Sequence, residues 1–139
     1  MRPHKNLDLY KKSIDFVTSL YGLMRKFPEG ERYGLVSQMK RAAISIPSNI
    51  AEGAGRQSQK EFLQFLHVAR GSISELDAQL EVSLNLGFIS DGEYEEKQIL
   101  LDDLSRMLSG LIKSIRHKAS SKHSTLHVTH YTSREEPST

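Results

Sequence analysis

The chain has 139 residues, 26% of them charged, a formal net charge of +2, and neither cysteine nor tryptophan. That length suits one domain around a single core, and the missing thiols exclude disulfide staples and thiolate chemistry, which fits a reducing compartment. The basic start from Met1 to Lys12 lacks the roughly 7 to 15 apolar residues of a secretory signal, and no window approaches about 18 apolar residues; a cytoplasmic chain outside the membrane is expected.

From Leu9 to Phe27, successive steps of about 100° gather Leu9, Tyr10, Ile14, Phe16, Val17, Leu20, Tyr21, Leu23, Met24 and Phe27 into one arc roughly 180° wide. This predicts a helix ended by Pro28 and Gly30. So wide an apolar face exceeds a two-helix seam and gives a physical motive for self-association.

A second helix is predicted from about Gly34 to Ala54, with Val36, Met39, Ala43, Ile46 and Ile50 as its seam. Pro47 lies inside it, removing a backbone donor and crowding the carbonyl of Ala43. A kink costing about 3 kcal/mol in an unsupported helix is therefore expected, or a break near Ile46. Ser45, Ser48 and Asn49 are placed to hydrogen-bond the loosened backbone.

Ser58 to Glu61 has capping-box spacing and opens a third helix with the seam Phe62, Leu66, Ala69, Ile73, Leu76, Leu80 and Leu84, stopping at Gly87. Gly71 in its middle suits either a close helix approach or an incidental surface position. Ser90 to Glu93 repeats the box, with Ile89 and Tyr94 as a hydrophobic staple. Tyr94, Leu101, Leu104, Leu108, Leu111 and Ile115 then form a bundle-type seam. Short connections near Pro28 to Tyr33, Gly55 to Gln57 and Phe88 to Ser90 predict an all-α, up-down-up-down antiparallel four-helix bundle over residues 1–117. Residues 118–139, rich in Ser, Thr, His and Lys, are expected to form a disordered tail.

Charge is unevenly spread. Residues 1–70 carry 12 Lys/Arg against 6 Asp/Glu, residues 71–103 carry 1 against 9, and residues 104–139 carry 6 against 2. A chain so divided can steer toward nucleic acid or dock one subunit against the next. Arg41, Ser45, Ser48 and Glu52 share one helical face opposite the apolar seam. With Lys40 before them and Arg56 and Lys60 beyond, the stretch suits a phosphate backbone; it equally suits bracing of the Pro47 kink and a subunit contact.

Catalytic chemistry has little to rest on. Gly53 to Arg56 follows a helix, not a strand, and lacks the Gly-Lys-Ser/Thr ending of a phosphate loop, so it reads as an interhelical turn. His123, His127 and His130 would align on a helix, but they fall in the expected tail without a carboxylate shell. His67 has no triad around it. No catalytic residue, cofactor or metal is expected.

The strings Phe27-Pro28, Tyr33-Gly34-Leu35, Ser37-Gln38, Arg41-Ala42-Ala43, Ser45-Ile46-Pro47-Ser48-Asn49-Ile50-Ala51-Glu52-Gly53 and Gly55-Arg56 form a specific set. Glu61-Phe62, Phe65-Leu66, Ala69, Gly71-Ser72, Glu75-Leu76 and Gln79-Leu80 extend it. Together they resemble the 23S ribosomal RNA intervening-sequence proteins, from about Leu7 to Ile115. The resemblance implies a bacterial four-helix bundle, typically a homopentamer, often encoded within segments interrupting large-subunit ribosomal RNA genes. A related branch resembles accessory proteins of diversity-generating retroelements, which implies engagement of a reverse transcriptase and nucleic acid. The expected function is a non-enzymatic, oligomeric accessory protein that binds RNA or DNA through Lys40, Arg41, Arg56 and Lys60; the alternative is a protein-interaction scaffold without nucleic acid.

Overall fold

The computed structural model describes residue 4 and residues 7–124, with side chains to Lys118. Among the described residues the chain folds as four α-helices, one short 3₁₀ turn and no strand: α1 (Asp8–Met24), the turn Glu29–Glu31, α2 (Leu35–Ala54), α3 (Gln59–Asn85) and α4 (Asp91–Ser124). It is an all-α bundle.

The apolar seams close one continuous core. Phe16, Leu20, Met39, Ile46, Ile50, Leu66, Leu76, Leu80, Leu104, Leu108, Ile112 and Ile115 are almost wholly withdrawn from solvent. Each such side chain stabilises the fold by about 1.5–3 kcal/mol before the entropy of ordering it is charged against it. α2 packs on α3 and α1, and α4 packs on α3 and α1.

Side-chain pairs fix the directions of these helices. Between α2 and α3, the Ser83 hydroxyl approaches the Met39 sulfur and the Ser72 hydroxyl donates to Ser45 Oγ at 2.7 Å. Gly53 lies against Phe62, so α2 and α3 run in opposite directions. Between α3 and α4, Gln98 donates to Asp77 at 2.8 Å while Arg116 meets His67 at 3.0 Å, again antiparallel. Lys26 at the end of α1 pairs with Glu93 at the start of α4 at 2.7 Å.

The helix boundaries have local causes. Ser58 Oγ accepts the Glu61 N–H at 3.1 Å, and at Ser90 both halves of the capping box form: Glu93 N–H donates to Ser90 Oγ, and Ser90 N–H donates to the Glu93 carboxylate. α3 ends in a Schellman arrangement, with Phe88 N–H donating to Ser83 O at 2.9 Å and Gly87 at φ 79°, a conformation that a Cβ would strain.

α2 passes through Pro47 as one helix. Pro47 is buried, and the Asn49 side-chain amide donates to Ser45 O at 2.8 Å and Ser45 Oγ at 2.9 Å. The hydroxyl of Ser45 also receives Ser72. Together these contacts hold the proline segment to α3 and offset part of the roughly 3 kcal/mol that proline costs inside a helix.

Two expectations change, and two readings that the sequence left open are decided. α4 does not end near Ile115 but continues to Ser124, so residues 118–124 are helical. No Gly or Pro interrupts residues 111–124, and extending a nucleated helix adds a hydrogen bond for each residue fixed. The rest of the expected disordered tail lies outside the described residues. In the α4 seam Ile112 is 1% exposed while Leu111 is only partly buried, because the straight-helix period carries the core position one residue on. Gly53 and Ala54 belong to α2, as the helix expected to Ala54 requires, and the turn begins at Gly55, so only part of Gly53 to Arg56 is a turn. A Cβ on Gly71 would meet nothing within 4 Å; the close approach is instead at Gly53.

Candidate nucleic-acid interface

The four cations singled out in the sequence fall into two groups. Lys40 and Arg41 are exposed on the first half of α2, whereas Arg56 and Lys60 flank the α2–α3 turn. Fifteen residues at about 1.5 Å each put roughly 20 Å between Arg41 and Arg56, so the groups do not share one phosphate.

Their surroundings differ as well. Lys40 Nζ sits 5.0 Å from the centre of the Tyr21 ring, which draws it toward α1 by a cation–π contact. Arg56 pairs with Glu52 at 2.8 Å, one helical turn earlier, and its guanidinium lies 4.9 Å from the Phe65 ring centre. Both partners in that ion pair are about half exposed, so it contributes little stability and leaves Arg56 open to an anion. Among the described residues Arg41 and Lys60 enter no ion pair and are exposed.

Of the polar residues around the proline, Ser45 and Asn49 serve the α2–α3 junction, and Ser48 and Glu52 are exposed on the outer face. The stripe Arg41, Ser45, Ser48 and Glu52 is therefore part junction and part surface.

The fold adds cations that the linear sequence separates from Arg56 and Lys60. Because α3 and α4 are antiparallel, the end of α4 returns beside the start of α3. Arg116 lies with its guanidinium 3.0 Å from the Nε2 of His67. Lys113 and Lys118 are exposed on the same stretch of α4, and Arg70 is exposed on α3.

At the other end of these two helices stand Glu75, Asp77 and Glu81 of α3 and Asp91, Glu93, Glu95, Glu96, Asp102 and Asp103 of α4. The sign changes after residue 70 in α3 and after residue 103 in α4, and the antiparallel pairing puts both acidic stretches at one end. A linear asymmetry becomes a spatial one.

Two titrating groups register the acidic end. The carboxyl of Glu93 is held below its ordinary range chiefly by the Lys26 ammonium, with Ser90 N–H assisting. The Tyr94 phenol is raised above its ordinary range first by burial, then by the carboxylates of Glu81, Asp77, Glu95 and Asp102. Lys97 is buried among these helices, its ammonium 3.5 Å from Glu96; its place on the inner face carries no mark in the sequence beyond the spacing from Tyr94 to Leu101.

Among the described residues no group of three His, Cys, Asp or Glu could hold a metal ion, and no helix is long and apolar enough to cross a membrane. The set His123, His127 and His130 lies outside the residues whose side chains are described.

Known proteins bear on the fold and the family. The chain superposes on the crystal structure of a protein of unknown function from the S23 ribosomal protein family of Bacteroides thetaiotaomicron VPI-5482. The TM-score is 0.71 at 23% identity, over 81% of this chain and 99% of that one, a likeness that speaks for the bundle alone. No curated protein matches the chain. The family model of the 23S rRNA-intervening sequence protein matches residues 5–110, most of the bundle, with the proline-bearing α2 and the whole α2–α3 junction inside it. The chain belongs to the 23S rRNA-intervening sequence protein family.

Proposed function

We propose that this protein is a non-enzymatic, self-associating bundle, as a homopentamer in the first instance, that binds RNA or DNA through the basic end of its α3–α4 layer. The observation that carries the reading is the gathering of Arg56, Lys60, Lys113 and Arg116 at one end by the antiparallel pairing of His67 with Arg116, away from the acidic end. Lys40 and Arg41 form a second, separate basic group. The family's name ties its members to sequences that intervene in 23S rRNA, which makes RNA the first ligand to test.

Phosphate binding by lysine and arginine releases condensed counterions, so affinity falls steeply with salt. Each phosphate contact contributes a slope of about 0.9 for a duplex and about 0.7 for a single strand on logarithmic axes. Fluorescence anisotropy with labelled RNA and DNA, single- and double-stranded, between about 50 and 200 mM salt measures that slope. Joint replacement of Arg56, Lys60, Lys113 and Arg116 by alanine lowers it by up to about 3.6 for a duplex and about 2.8 for a single strand. The pair Lys40→Ala and Arg41→Ala tests the second group separately. Unchanged binding in the fourfold variant overturns the site.

The scaffold reading has one observation in its favour: the apolar Val68, Val82 and Leu86 are about half exposed on α3. Absence of nucleic-acid binding at all salt concentrations decides for it.

A further inference from the structure

Two apolar surfaces remain open on the outside of the bundle, and they differ in shape. On α3, Val68, Gly71, Glu75, Ala78, Val82 and Leu86 follow one another at steps of three and four and are all exposed, which makes a ridge along one helix face. Val68, Val82 and Leu86 are 52%, 45% and 56% exposed.

The second is the α1–α2 cleft, the furrow on the outer side of the bundle where these two helices pack. The contact of Lys40 with the Tyr21 ring fixes which faces flank it: Tyr10, Ile14 and Tyr21 from α1, and Lys40, Ile44 and Ala51 from α2, in each helix at steps of four and seven. Ile14 and Ile44 are 39% and 45% exposed, and Tyr10, Tyr21 and Ala51 are half-buried. This is the edge of the wide α1 arc that the chain's own core does not cover.

We propose that the α3 ridge of one copy seats in the α1–α2 cleft of the next, a head-to-tail interface that closes a ring. This rests on the self-association reading and assigns the surfaces for it. Charge matches across the pair: Glu75 interrupts the ridge between Val68 and Val82, and Lys40 stands in the cleft beside Ile44.

Height matches too. Met39 lies level with Ser83, and Ser45 with Ser72, so Lys40 and Ile44 occupy the level of the ridge from Glu75 to Val82. Copies can therefore join without an axial step, the condition for a closed ring instead of a filament. The ridge and the cleft also lie on different sides of the bundle, separated by α2, so successive copies turn relative to one another and the ring can close.

Native mass spectrometry and light scattering on the full chain test this with Val68→Glu/Val82→Glu in the ridge, Ile44→Glu in the cleft, and Ile99→Glu as a control at a 56% exposed site on α4. Circular dichroism establishes that each variant is folded. The ridge and cleft variants fall to the 15.7 kDa monomer while the control keeps the wild-type mass. Mixing the two defective variants restores one sound interface, the ridge of Ile44→Glu in the cleft of Val68→Glu/Val82→Glu, and gives a heterodimer. Lys40→Glu combined with Glu75→Lys assembles better than either alone. If both defective variants keep the wild-type mass, or their mixture stays monomeric, the assignment is overturned and self-association stands. A monomeric wild type overturns both.

Discussion

Gly53→Ala sets two effects of known size against each other. Alanine in place of glycine within a helix gains about 1 kcal/mol of propensity, and Gly53 sits inside α2 in ordinary helical backbone. The added Cβ, however, would lie 2.9 Å from Phe62 Cδ1, 2.9 Å from Phe65 Cβ and 3.3 Å from the Phe62 carbonyl. Phe62 is 4% exposed and its ring has no room to swing, and Phe65 Cβ is fixed to the α3 backbone. α2 and α3 must therefore separate locally. Overpacking of this kind costs about 1–3 kcal/mol, so against the propensity gain the net change is a loss of up to about 2 kcal/mol.

Gly110→Ala is the control, since nothing lies within 4 Å of a Cβ there. It gains about 0.5–1 kcal/mol from propensity and a less flexible unfolded chain. Urea unfolding at one fixed protein concentration measures both variants, with the slope against denaturant unchanged. The reasoning fails if Gly53→Ala is as stable as Gly110→Ala.

Leu104→Ala, at a site 1% exposed, opens a cavity between α4 and its neighbours and lowers stability by about 2–5 kcal/mol in the same assay. Ser45→Ala removes the acceptor of both Ser72 and Asn49 and costs about 1–3 kcal/mol. A double-mutant cycle with Ser72→Ala shows coupling above about 0.5 kcal/mol if the hydroxyl pair braces the proline segment. Glu93→Gln keeps the side chain but loses the charge that Lys26 and Ser90 favour. Because the folded carboxyl titrates below its ordinary value of 4.5, its contribution is full above that pH and is lost as pH falls through the folded value. The melting-temperature gap between wild type and variant thus closes below about pH 4.5.

The bundle was legible because helix seams and caps are local. Phe62, Leu66, Ala69, Ile73, Leu76 and Leu80 recur with the helix period, and the serine and glutamate of each capping box are three residues apart, so no long-range information is needed. Gly53 reads both as the last turn of the second helix and as part of the interhelical turn, because a glycine pair at the end of a helical pattern is an ordinary stop signal. Its true reason is the approach of Phe62 and Phe65, which is tertiary. Ile112 was passed over for Leu111 because a strict heptad drifts from the straight-helix period by about 20° in each repeat, enough to exchange neighbours by the end of a long helix. Lys40, Arg41, Arg56 and Lys60 stood close in sequence, but sequence proximity along a helix is axial distance. Arg116, which the fold brings to the same end of the layer as Arg56 and Lys60, comes from a helix more than fifty residues away.

The charge division and the proposed ring bear on one another. Antiparallel pairing mixes the ends of helices, so a charge bias along the chain ordinarily averages out; here the sign changes partway along both α3 and α4 and survives the reversal. A head-to-tail ring with no axial step keeps its copies parallel, which would bring every basic end to one rim and every acidic end to the other. On the proposed reading one copy would offer few phosphate contacts and would bind weakly at physiological salt. A ring offers the same few repeated around a rim, where a single RNA engaging several copies meets a high effective concentration of the next site. On this reasoning Ile44→Glu, which touches no basic residue of the α3–α4 end, weakens nucleic-acid binding as strongly as removal of the cations does, and the loss appears on long RNA but not on one short enough to reach a single copy.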